Sequence, residues 1–467
     1  DYSHAVELTE TAKQTIGDLK IIALTPAELS RTYAERGYAL ARLEEFDRAI
    51  EDFTSALALD AENSAAYNNR GNAYLLQEKY TEAIEDFNQA LVLDNRDVEA
   101  FNHRGQAFAA QQDYEHALED FNRAIKLNPE NDVAYYHRGC VNADHILPSA
   151  TAETGLRNAV EDFTQAIFLN PKNSLAFYRR GLAYLLLNEP QQAIEDLNQG
   201  LDLELPKAAK LSALNSRGQA YLNQQDYPLA ISDFNQVIAL EKANVDAYGF
   251  RGQARAAQQD YEGAVADFSE ALGLAPADRE LLFHRGKAYA GLGNYTRAVT
   301  DYSAALELEP AANQVDLYYE RGLALIAQKQ YQAAIADFDK TVALDAGNAA
   351  ALNQRGLAYL AQGEFEPALA SLNQAIELDS RQAEYFFNRG NAFANDPAGN
   401  YERAIDDYDQ AIELNNRRGD FYLRRGYAHL RQQNDELATA DFAEAIRLDN
   451  RLSEAFRLRG QVLARNN

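Results

Sequence analysis

The chain is 467 residues long and sets 44 Lys+Arg against 71 Asp+Glu, a formal net charge of -27. A field of that sign repels phosphate backbones and anionic lipid head groups, which argues against nucleic acid as a partner. A single cysteine, Cys140, excludes an intrachain disulfide, and no apolar run reaches the roughly eighteen residues that a membrane-spanning helix needs.

Residues 1 to 29 form the first segment. Within "DYSHAVELTETAKQTI", Tyr2, Ala5, Val6 and Ala12 fall at helical spacing, with Thr9 where the later repeat unit has Phe87 and Leu8 beside it, so one amphipathic helix is expected there, an imperfect second helix of a hairpin, followed by the connecting stretch "DLKIIALTP". Methionine is absent throughout, position 1 included, so removal of a segment upstream of Asp1 is expected. Signal-peptide cleavage and a trimmed leader explain that equally well. A Met-free interior suits an oxidising exterior, where thioether oxidation disrupts cores, so an extracellular or cell-surface location is expected, with the cytoplasm as the alternative.

From residue 30 to 451 one pattern repeats. An Arg-Gly pair recurs in register at Arg36, Arg70, Arg104, Arg138, Arg180, Arg217, Arg251, Arg285, Arg321, Arg355, Arg389, Arg425 and Arg459, and most intervals are 34 residues. In the unit "NSAAYNNRGNAYLLQEKYTEAIEDFNQALVLD", residues 63 to 94, Tyr67, Gly71 and Tyr74 keep helical spacing. After a polar break at Gln77 to Lys79, Tyr80, Ala83, Ile84, Phe87, Ala90 and Leu91 do the same, which reads as two amphipathic helices in a hairpin. Gly71 and Ala83 are small enough to let the two helices approach closely. Asp94, Asn128, Asn170 and Asp379 begin the turns between units.

These residues resemble the tetratricopeptide repeat (TPR) family, in the bacterial variant with Arg-Gly where the usual consensus has Leu-Gly. The resemblance implies an all-α, right-handed superhelical solenoid of about 12 helix-turn-helix units with a half unit at each end, first helices lining its concave side. Groove residues follow by position. Asn68, Asn102, Asn215 and Asn353 stand two before the Arg, and Asn72, Gln106, Gln219 and Asn391 two after it. A ladder of amides can donate to and accept from an extended peptide or a glycan. Tyr136, Tyr178, Phe283, Tyr319 and Phe387 interrupt it and are read chiefly as packing between units. The lysines with which some members grip a partner's terminal carboxylate are missing from this groove.

No catalytic constellation stands out of step with the repeat, so no enzyme and no cofactor is expected. His103, His137 and His284 share one repeat position and read as structural. His137, Cys140 and His145 lack a fourth ligand of good spacing, so no metal is expected. The pairs Glu51-Asp52, Glu85-Asp86, Glu119-Asp120, Glu161-Asp162 and Glu195-Asp196 recur at one position of the first five second helices and read as a solvated face. Asn294-Tyr295-Thr296 is a glycosylation sequon, informative only in an exported protein.

Residues 452 to 467 supply a first helix without a second, with Phe456, Gly460 and Leu463 as its expected interface residues. Placed after Asn467, the chain's own start puts Tyr2 ten residues beyond Arg459, as Tyr80 lies ten beyond Arg70. The expectation is therefore head-to-tail assembly into a filament, the last helix of one copy pairing with the first helix of the next. The competing expectations are that the last helix is a solvating cap and that the chain is a monomeric scaffold binding an extended peptide.

Overall fold

The structure, a computed structural model, describes residues 25–144, 152–308 and 314–466. Among these residues there are 25 α-helices and no strand. The chain divides into two units, residues 1–240 and 241–467. The first holds six hairpins, from Pro26–Arg42 with Phe46–Leu59 to Lys207–Asn223 with Tyr227–Leu240. The second holds six more, from Val245–Ala257 with Tyr261–Leu274 to Gly419–Arg431 with Asp435–Leu448, and then the single helix Ser453–Asn466.

Local chemistry sets each hairpin. Asn63 caps the helix Ser64–Leu76 by accepting from the Ala66 amide, and Asp97, Asn173, Asn244, Asp278 and Asn348 cap other first helices through their side chains. Such caps satisfy amides that have no partner inside the helix. The chain then reverses through one residue of left-handed conformation, Glu78 at φ 61 in the second hairpin. Glycine occupies the equivalent place at Gly363, φ 78, where it adopts that conformation without strain. Between hairpins, Asp94, Asn128, Asn170 and Asp379 accept from the amide two residues on, as the sequence pattern implies.

Each second helix packs on its own first helix and, within a unit, on the first helix that follows. The core is a file of rings and alanines. Phe53, Phe87, Phe121, Phe163 and Phe234 in the first unit, and Phe268, Tyr302, Phe338, Tyr408 and Phe442 in the second, are fully buried, as are Ala83, Ala90 and their equivalents. Burying a Phe side chain is worth about 1.5–3 kcal/mol. The close approach rests on the glycine of each Arg-Gly pair: a Cβ on Gly71 would lie 2.7 Å from the Phe87 ring.

Candidate functional site

The arginine beside each such glycine is built into the stack. Arg70 donates from Nε and Nη2 to the two carboxylate oxygens of Asp86, both at 2.8 Å, and from Nη1 to Thr54 Oγ1 at 3.0 Å. One guanidinium thus ties its own second helix to that of the preceding hairpin. Its plane also lies 5.7 Å from the centroid of Tyr67, a cation–π contact. The same fork joins Arg104 to Asp120, Arg180 to Asp196, Arg285 to Asp301 and Arg425 to Asp441, and eleven such pairs occur among the described residues. Planar bidentate pairing of this kind is directional and charge-assisted. The preceding helix contributes Asn88 to Arg104, Asn122 to Arg138 and Thr164 to Arg180. Arg355 departs from the pattern, because Ser371 stands where the aspartate should be; it donates to Ser371 Oγ at 3.1 Å and to Asp339 at 2.7 Å.

This corrects the reading of the Glu-Asp pairs as one solvated face. Glu51, Glu85, Glu119, Glu161 and Glu195 are exposed, whereas Asp52, Asp86, Asp120, Asp162 and Asp196 are buried and bound to arginine. Neighbouring helical residues point about 100° apart, so one of each pair turns outward and the other inward. Burial pushes the Asp120 carboxyl above its ordinary value, against the pull of Arg104. The hydrogen bond to Asp86 holds Arg70 above its own already high value. The signal was present in the sequence as a 16-residue separation of opposite charges.

The amides expected in the groove divide into two groups. Asn68, Asn102 and Asn353 are buried at 5%, 5% and 4% exposure, so they do not present a solvent-facing ladder. Asn68 Oδ1 lies 3.1 Å from His103 Nδ1 on the next hairpin, and Asn353 Oδ1 accepts from Asn388 Nδ2 at 2.9 Å. They join neighbouring first helices, whose close packing shuts them off from water. The Oδ1 atoms of Asn102 and Asn215 are buried without a hydrogen-bond partner among the described residues. Asn72, Gln106, Asn215, Gln219 and Asn391 are half-buried, and Asn391 Oδ1 accepts from the Tyr408 hydroxyl at 2.9 Å. Tyr136, Phe283, Tyr319 and Phe387 lie tilted or edge-on against the core rings Phe163, Tyr302, Phe338 and Tyr408, with centroids 5.8 to 6.1 Å apart.

His103, His137 and His284 lie against Phe87, Phe121 and Phe268, and burial lowers the pKa of each, that of His137 to about 4. Burial pushes the Cys140 thiol up to about 11, which leaves little thiolate for metal binding or nucleophilic attack. His145 lies outside the described residues. Asn294 of the sequon caps Tyr295–Glu307 by accepting from the Arg297 amide.

The final helix differs from every first helix before it. One face is anchored: Ala455, Leu458 and Val462 are buried with Leu423, Phe442 and Ala445, and Arg465 is paired with Asp435. Among the described residues nothing covers the other face. Phe456 is 50% and Leu463 44% exposed. At the twelve earlier Arg-Gly glycines an added Cβ would meet a side chain at 2.5 to 3.0 Å, but at Gly460 it would meet nothing within 4 Å. Arg459 Nε is buried and has no partner among the described residues. The structure thus brings the expected interface residues Phe456, Gly460 and Leu463 onto one uncovered surface. Their expected counterparts Tyr2, Ala5, Val6, Leu8 and Ala12 lie outside the described residues.

Family models for the tetratricopeptide repeat match residues 30–63, 98–131, 152–207, 215–279, 283–349 and 397–453, and a TPR repeat model matches 71–112 and 356–396. The chain belongs to the tetratricopeptide repeat family. Its helical hairpins are TPR units, and the family and fold indicate a protein-interaction scaffold. No curated protein matches the chain. Among solved structures it is similar to the Cut9-Hcn1 assembly of APC/C, at 15% identity over 95% of this chain and 97% of that one, with a TM-score of 0.42. The C-terminal part of a TPR repeat-containing protein from Cytophaga hutchinsonii is 19% identical over 52% of this chain and 98% of its own, TM-score 0.45. A MamA fragment from Desulfovibrio magneticus RS-1 is 27% identical over 36% and 94%, TM-score 0.35.

Proposed function

We propose that this TPR scaffold is non-enzymatic and assembles head to tail, the final helix of one copy being covered by the N-terminal helix of the next. The observation that carries the reading is the exposed face of Phe456, Gly460 and Leu463 beside Arg459, whose buried Nε has no partner among the described residues. A heterologous contact of this kind propagates as a filament unless its rotation closes a ring. Charge supports the polarity: residues 447–467 carry Arg447, Arg451, Arg457, Arg459 and Arg465 against Asp449 and Glu454, and residues 1–18 carry Asp1, Glu7, Glu10 and Asp18 against Lys13. Covering about 500 Å² of apolar surface yields roughly 12 kcal/mol gross. Association consumes about 4–15 kcal/mol, so neighbouring hairpins must join the contact.

Sedimentation velocity of the 467-residue chain at micromolar concentration tests this. Large assemblies that disappear on deletion of residues 1–17 are expected, and monomers in the intact chain refute it. The second reading, a monomeric scaffold holding an extended peptide or glycan, is favoured by the half-buried row Asn72, Gln106 and Gln219. An extracellular or cell-surface location belongs to the first reading, supported by the Met-free composition. Fractionation of native cells checks it, and recovery in the cytosol refutes it.

A further inference from the structure

The completed hairpins are internal templates for whatever covers the final helix. In eleven of twelve, the residue facing the arginine is Asp, and the next residue is a Phe, Tyr or Leu that fills the space over the glycine. Three residues before this acid an alanine is always present, as at Ala83, and four after it a small or β-branched residue, as at Ala90 or Thr341. The alanines let the helix backbones close, the acid satisfies the guanidinium and the ring fills the slot. At the final helix, Arg459 Nε and the open side of Gly460 present the same two demands unmet.

The chain's own N-terminal helix meets them only in part. In the register that puts Tyr2 ten residues past Arg459, Ala5 and Ala12 occupy the alanine positions, but Leu8 faces Arg459 and Thr9 faces Gly460. Leucine cannot accept from a guanidinium, and threonine leaves the ring slot partly empty. We infer that the bare face of the final helix is a receptor for a partner protein's amphipathic helix of the pattern Ala-x-x-Asp-aromatic-x-x-small. Arg459 and Gly460 set its specificity, and such a helix displaces a second copy and ends assembly. The inference rests on the reading that the final helix takes a docked helix.

The probe is a capped, fluorescent peptide of residues 80–93, YTEAIEDFNQALVL, titrated by anisotropy with the 467-residue chain to about 1 mM, because a peptide of this length is only marginally helical in water. Saturable binding is expected, weakened about 10- to 100-fold when the peptide carries Asp86→Ala or the chain carries Arg459→Ala, the range for a lost charge-assisted bond. Gly460→Ala is the control that keeps its fold, since its methyl meets nothing in the free chain, yet it should abolish binding by blocking the ring. Absence of binding, equal binding of the Asp86→Ala peptide, or full binding to the Gly460→Ala chain overturns the inference. The two readings fail separately. Assemblies that depend on residues 1–17, together with peptides that are not distinguished, leave self-assembly standing and sink the acid-aromatic code. Asp-dependent binding to a chain that stays monomeric does the reverse.

Discussion

One substitution placed at two equivalent positions should act with opposite sign. Gly→Ala inside a helix is worth about 1 kcal/mol of intrinsic stabilisation. At Gly71 the new methyl would lie 2.7, 2.9 and 3.1 Å from Phe87 Cε1, Cδ1 and Cζ. Carbon atoms rest about 3.5–4.0 Å apart, so the ring or the helix must move by about 1 Å. Phe87 is fully buried between Ala83 and Ala90 and has little room to move. Overpacking of this kind destabilises by about 1–3 kcal/mol, which after the propensity gain leaves Gly71→Ala up to about 2 kcal/mol less stable. At Gly460 nothing lies within 4 Å, so in the unassembled chain, kept monomeric by deletion of residues 1–17, only the propensity gain remains and local protection of residues 453–466 should rise about fivefold. Hydrogen exchange read locally in both variants is the assay, because a repeat array opens unit by unit. Destabilisation at both positions, or at neither, would refute the reasoning that a ring covers Gly71 and that Gly460 is bare.

The arginine ladder makes three further claims. Asp86→Ala strands the Arg70 guanidinium, whose side chain is 18% exposed, and should lower stability by about 3 kcal/mol in urea denaturation. Exposed Glu85→Ala should stay within about 0.5 kcal/mol of the parent. Ser371→Asp should raise stability by about 1 kcal/mol, because Arg425 already holds two aspartates, Asp409 and Asp441, as Arg355 then would; a loss of stability would show that the break in the ladder is required by packing. The buried histidines add a pH dependence. The unfolded chain protonates His137 below about 6.5, while the folded chain resists until about 4, so this contribution is intact above 6.5 and is lost as pH falls through that window. His137→Phe, which copies Phe250 of another repeat and keeps a ring against Phe121, should reduce the fall in urea midpoint between pH 7 and 5; an unchanged fall would place the dependence elsewhere.

The hairpins were legible because their determinants are local. A 34-residue period, apolar residues at i, i+3 and i+4, and Asn or Asp at the turns specify helices, their ends and the side of each that is buried, as Phe87, Ala83 and Ala90 show. The bare last helix was legible for a similar reason, since it needs only a count of residues after Arg459. The partners of polar groups were not. Asp86 and Glu85 are adjacent and chemically alike, yet one is bonded to Arg70 and the other faces water. Asn68 looks like a groove amide until the packing of the next hairpin brings His103 to within 3.1 Å of it. Composition and periodicity by themselves determined a stack of helical hairpins with rings inside. Only the tertiary structure decided which charges meet and which amides are sealed away, because helical periodicity acts within a few residues, while a guanidinium chooses its carboxylate across helices brought together by packing.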